Sequence, residues 1–221
     1  MEKYYDILKR SALFTGMSDN DINELTRYLD TYTKKYKKGE YVHYCGDNLD
    51  RCGIVLSGEL QAQNVSYDGE VSISAVNYAG DVFGDLLMSS NSVTSPVDVV
   101  AVKDSEVLFI PFGRIMTDGG GEALYRLRMN LLGEISEKYF ALRKKISYLS
   151  ASTVREKIVL FLTDRQSVAG KRSFRINISR QQMADILGVN RSALSRELSR
   201  MMEEGLIYFD RDYFEILDKL V

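Results

Sequence analysis

The residues RSALSRELS at 191–199 place Arg191, Ser192, Ser195, Arg196 and Ser199 at offsets that share one helical face, while Val189, Leu194, Leu198 and Met201 fall on the other. Arginine can donate to two acceptors on a guanine edge, and serine can bond either a base or a phosphate oxygen. A helix carrying them stays slender enough for a groove about 12 Å wide. The chemistry on offer is cationic, hydrogen-bonded recognition of a duplex nucleic acid. Glu197 and Asp185 dilute the charge. The same face would also serve as the solvated surface of an ordinary helical hairpin, so the flanking elements have to decide.

Those flanks read as a scaffold. Ser179 is a cap and Gln182 completes a capping box, which starts a helix running to Leu187. Gly188 stands where a left-handed residue ends that helix, Val189 plugs the angle, and Asn190 caps the next. Arg180 and Gln181, in the first turn, join the candidate contacts. Phe174, Ile176 and Ile178 alternate as a short strand, and 206–217 reads as a hairpin turning at Asp210-Arg211-Asp212. Val154, Ile158, Phe161 and Leu162 give a supporting helix over 153–168. A hairpin after a recognition helix is a wing, so 151–221 is expected to be a winged helix-turn-helix that binds DNA.

With 221 residues, 45% of them hydrophobic, the chain is long enough for two domains with proper cores. Net charge is −2, with 12 Lys+Arg against 10 Asp+Glu from Ser152 onward and 17 against 21 before it. Binding would therefore rest on a local basic face and on doubling the site. Cys45 and Cys52 suggest no disulfide framework. With no secretory signal and no membrane-crossing run, a cytoplasmic protein with no membrane partner is expected.

Tyr5, Leu8 and Leu13, then Ile22, Leu25 and Leu29 behind the caps Ser18 and Asp19, predict short leading helices. Over 32–111 short β-rich runs are punctuated by glycines 39, 46, 53, 58, 69, 80 and 84, which argues for an antiparallel roll. GIVLSGEL at 53–60 and 97–101 are its apolar strands, and Tyr67 to Glu70 is a hairpin tip. Leu124, Leu127, Leu131, Ile135, Tyr139, Leu142, Ile146 and Leu149 step by three and four along a helix over 122–149. That stripe is expected to be a dimer seam.

With KGE at 38–40, SGEL at 57–60, GDVFGD at 80–85, a long helix, and then SRQQMADILGVNRSALSREL at 179–198, the chain resembles the cyclic-AMP receptor protein and Fnr (Crp/Fnr) family of bacterial transcription regulators. The likeness covers nearly the whole chain, and the helix-turn-helix is its most specific part. It implies an α+β fold: an N-terminal antiparallel β-roll, cyclic-nucleotide-binding-like, with its leading helices (1–121), a long dimerisation helix (122–150) and a winged helix-turn-helix (151–221). It implies a homodimeric, sequence-specific transcription regulator on a palindromic double-stranded DNA operator, a small effector in the roll, and RNA polymerase as a further partner. Matched by position, Arg191, Ser192, Ser195 and Arg196 fall where the family reads bases. Gly84 and Asp85 match a Gly-Glu pair that holds the ribose in cyclic-nucleotide members. Leu86 and Ser95 border the same pocket, and Leu142 and Arg143 take the long-helix positions that reach the purine.

The departures point away from cyclic AMP. Cyclic-nucleotide members pair the phosphate with an Arg before the last roll strands, and VTSPVD at 93–98 has no cation. A buried phosphate without such a pair is poorly compensated. The expected effector is another, unidentified small molecule. Iron-sulfur members need four cysteine ligands, and this chain has two. His43 with Cys45 or Cys52 leaves a haem- or thiol-based gas or redox sensor as the alternative. A metal-dependent, cupin-like enzyme is the alternative from another class, but such sites need several histidines and His43 is the sole one. No set of nucleophile, base and orienting residue suggests catalysis.

Overall fold

The structure is a computed structural model that describes residues 2–84 and 94–220; Asp85, Leu86 and Val93 lie outside the described residues. A 3-10 turn at Glu2–Tyr4 leads into α1 (Tyr5–Arg10), a second turn at Ala12–Phe14 and α2 (Asp19–Tyr28). Ser18 starts α2 with a capping box: its hydroxyl accepts the Asp21 N–H at 3.2 Å, and the Asp21 carboxylate accepts the Ser18 N–H at 2.9 Å. Leu8, Leu13, Ile22, Leu25 and Leu29 are buried as their spacing predicts.

The roll comprises β1 (Tyr32–Tyr36), β2 (Tyr41–His43), β3 (Arg51–Ser57), β4 (Glu59–Val65), β5 (Val71–Tyr78), β6 (Val82–Phe83), β7 (Asp98–Ala101) and β8 (Ser105–Pro111). They form two antiparallel sheets, ordered β1-β8-β3-β6 and β2-β7-β4-β5. β3 and β8 are covered on both faces. Cys52, Ile54, Leu56, Leu108 and Ile110 pack with the leading helices, while Val55, Val107 and Phe109 turn into the roll with Tyr36, Leu60 and Phe83. This double burial explains the unbroken apolar run in the sequence. The run at 53–60, expected as one strand, is in fact two. It breaks at Gly58, where φ is 89° and an added Cβ would lie 2.5 Å from the Asp104 carbonyl oxygen, so the chain passes there from one sheet to the other.

After the short α3 (Phe112–Ile115), α4 (Gly121–Ser150) forms the long helix. The compact units of the chain, 1–137 and 138–221, divide inside it. Its apolar stripe departs from the expected single seam. Leu124, Leu127 and Leu131 are buried in the first unit's own core with Ile135 packed against it, whereas Tyr139, Leu142, Ile146 and Leu149 are exposed.

The second unit adds α5 (Val154–Ala169), β9 (Ser173–Arg175), α6 (Arg180–Leu187), α7 (Arg191–Glu203), β10 (Ile207–Asp210) and β11 (Tyr213–Ile216). β10-β11-β9 is an antiparallel sheet. The strand expected to reach Ile178 stops at Arg175, although Ile176 is still buried. Phe161, Leu162, Met183, Leu187, Leu194, Leu198, Met201 and Phe214 form the core. Each such side chain stabilises the fold by about 1.5–3 kcal/mol on leaving water.

Candidate functional site

Local hydrogen bonds set the angle between α6 and α7. The Ser179 hydroxyl accepts the Gln182 N–H at 3.1 Å, and the Gln182 side-chain oxygen accepts the Ser179 N–H at 2.8 Å. Gly188 ends α6 at φ 61°, ψ 44°, and an added Cβ would lie 2.6 Å from Leu149. Asn190 holds the cap position of α7 but its side chain makes no capping bond; the turn is held by the α6 end and by the packing of Val189.

On α7, Leu194, Leu198 and Met201 are fully buried, and Arg191, Ser192, Ser195, Arg196 and Ser199 are all exposed. Ser195, Arg196 and Ser199 line an open groove with Arg200 and Glu203. Glu197, expected to dilute the charge, is turned away. Arg155 of α5 donates to it at 2.5 Å and grips Glu204 through both carboxylate oxygens at 2.7 Å, while Arg200 reaches Glu197 at 3.3 Å. This pairing raises the Arg155 pKa and holds Glu204 below the usual carboxylate range. Among the described residues Arg191 and Arg196 have no ion-pair partner, so the face keeps its cations free.

The first turn of α6 holds the wing. Arg180 donates to the Arg211 carbonyl at 2.9 Å and lies over the rings of Phe209 and Phe214, 5.1 and 4.8 Å from their centroids. Half-burial lowers its pKa, and its position is that of a brace between α6 and the tip of the β10–β11 hairpin. Arg211 stands at that tip at φ 51°, and the adjacent Asp212 is paired with Arg175 at 2.8 Å. Gln181 is exposed and donates to Asp185 at 2.8 Å.

In the roll, a cavity of about 270 Å³ opens beside Gly84. It is lined by Gly84, Tyr32, Lys34, Tyr36, His43, Arg51, Phe83 and Phe109, of which the sequence reading singles out only Gly84 and His43. These side chains come from separate strands, and the one local signal was the alternation Tyr32-Lys34-Tyr36 along β1. Ser95 is buried, with its hydroxyl donated to the Val97 carbonyl at 2.8 Å and its backbone bonded to Asp47 and Gly46, so its polar groups are engaged within the roll. Leu142 and Arg143 are exposed on α4. Cys45 is exposed and Cys52 is buried. Among the described residues no group of three or more His, Cys, Asp or Glu side chains could hold a metal ion, and no helix is long and apolar enough to cross a membrane.

Two family models match the chain: Cyclic nucleotide-binding domain over 33–117 and Crp-like helix-turn-helix domain over 156–219. The chain is 29% identical over 189 residues to "Transcriptional activator protein anr" of Pseudomonas aeruginosa, covering 83% of this chain and 76% of that one. It is 26% identical over 207 residues to "Electron transport regulator A" of Shewanella oneidensis, covering 91% and 81%. Its fold is like that of the Thermus thermophilus Catabolite Activator Protein, with a TM-score of 0.57, 21% identity and 93% of each chain covered.

Proposed function

This chain belongs to the Crp/Fnr family of bacterial transcription regulators, with a cyclic-nucleotide-binding sensor domain and a Crp-like helix-turn-helix, and from that premise we propose that it acts in the cytoplasm as a homodimer controlled by a small molecule other than cyclic AMP. The observation that carries the reading is the division of α7 into a buried face of Leu194, Leu198 and Met201 and an exposed face of Arg191, Ser192, Ser195, Arg196 and Ser199. That second face enters a major groove, and its symmetry mate enters the next, about 34 Å away on a palindromic operator. Arg180 contributes by holding the wing against the same duplex. RNA polymerase is the further partner of the bound dimer.

The seam of the dimer is the exposed side of α4. Tyr125, Met129, Leu132, Tyr139 and Ile146 are exposed by 62%, 47%, 56%, 59% and 54%, and with Ser136 and Arg143 they recur at alternating steps of four and three, the spacing of a coiled-coil seam. Because these side chains are already outside the monomer's core, Leu132→Glu with Ile146→Glu is expected to give folded monomers that lose specific operator binding. Sedimentation and gel shift are the measurements, and a persisting dimer would refute the seam. The name of the Shewanella relative supports a second reading, regulation of electron-transport functions; absorbance of the purified protein tests for haem.

A further inference from the structure

We propose that the roll cavity beside Gly84 is built for a small aromatic monoanion, a single ring carrying a carboxylate; this rests on the effector reading above and names its ligand class. The alternation of β1 sets the chemistry, since Tyr32, Lys34 and Tyr36 share the strand face that lines the cavity and Thr33 and Lys35 take the other. The walls are rings. Phe109 stacks on Tyr32 at 5.3 Å between centroids and meets Phe83 edge-on at 6.3 Å, and His43 stacks on Phe83 at 6.4 Å. Gly53 specifies where Phe83 lies, because any Cβ at that position would collide with the ring. A volume of about 270 Å³ stands just below the range of roughly 300–1,000 Å³ common to drug-sized ligands, which suits one ring better than a nucleotide.

Two cationic side chains, Lys34 and Arg51, line the same cavity. Lys34 has no ion-pair partner among the described residues, and its ammonium lies 4.8 Å from the centroid of the Tyr36 ring. Arg51 donates Nε to Asp50 at 2.5 Å and Nη1 to the Tyr32 hydroxyl, and among the described residues nothing meets its Nη2. Asp47, the one carboxylate lining the cavity among the described residues, already accepts the Tyr44 N–H at 2.8 Å. The buried Nε2 of His43 has no hydrogen-bond partner among the described residues, which costs stability unless a polar group meets it. A carboxylate held between a point charge and a planar donor, with its ring among Phe83, Phe109 and Tyr36, uses all of these features. A neutral ring would leave the cations unused, and an acid without a ring would leave the walls unfilled.

The test is an NMR titration, with calorimetry, of the intact chain with benzoate, salicylate and phenylacetate at millimolar concentration, against benzamide and acetate. At least one acid is expected to bind with shifts centred on the cavity residues, and both controls to bind about tenfold or more weakly, the usual scale for one lost charge-assisted contact. Arg51→Gln and Lys34→Gln should each weaken the acid by a similar factor. No binding by any of the acids, equal binding of benzamide, or unchanged affinity in both variants would overturn the proposal. If a variant fails to fold, the acid-against-amide comparison on the unaltered protein still decides. Duplex binding measured in parallel separates the two ideas: if it persists while no acid binds, only the ligand class is rejected, and if it is absent the regulator reading goes with it.

Discussion

The recognition face and the roll cavity are built by opposite means. The face lies within 191–199 on one helix whose other side is already buried, so its side chains carry no structural duty. The cavity draws Tyr32 from β1, His43 from β2, Arg51 from β3, Phe83 from β6 and Phe109 from β8. Tyr36, Phe83 and Phe109 there belong to the inner core as well. Function can thus be altered apart from stability at the first site, whereas at the second the two are tied together.

The largest test of that contrast is Phe83→Ala. Its ring fills the space over Gly53 and is 8% exposed, so removing it should destabilise the roll by about 3–5 kcal/mol, read from the roll's thermal or urea transition. A loss well under 1 kcal/mol would show that the cavity is separable from the core after all.

Arg196→Ala is the matching change on the helix, and a smaller one. Stability should stay within about 0.5 kcal/mol of the parent, while site discrimination falls by about 1–3 kcal/mol in a competition gel shift. Unchanged affinity and unchanged preference would remove the recognition role from α7.

The smallest effect concerns His43. Burial lowers its pKa from the ordinary 6.5, against the upward pull of Asp47 and Asp98. The unfolded chain therefore takes up the proton first on acidification, so the contribution is fully present above 6.5 and is lost as pH falls through the lower folded value. His43→Leu should flatten this part of the roll's stability profile between about pH 7 and pH 5. An identical slope in parent and variant would show that His43 is not the group responsible.

Much of the second unit was legible in its residues because its signals are local. Ser179 with Gln182, Gly188, and the burial of Leu194 and Leu198 are settled within one or two helical turns, and the structure reproduces them. Asn190 looked like a side-chain cap but makes no such bond. In the first unit, 53–60 looked like one strand, and the distant Asp104–Ser105 backbone against Gly58 divides it. Arg180 reads as a free cation until Phe209, Phe214 and the Arg211 carbonyl are brought over it.

By itself the sequence determined most of the helices with their caps, the glycine-punctuated roll, the winged helix-turn-helix and which residues of α7 face outward, since hydrogen bonds of short span and simple periodicity encode all of these. Tertiary structure alone decided which surface covers each apolar stripe. The steps of three and four along α4 run through Leu131 and Leu142 alike, yet the first is 3% exposed and the second 59%. Tertiary structure also decided that Tyr32, His43, Arg51, Phe83 and Phe109 share one cavity. Hydrophobic periodicity states that a face must be buried but is non-directional as to its partner, so the choice between core and open surface is made only where distant elements pack.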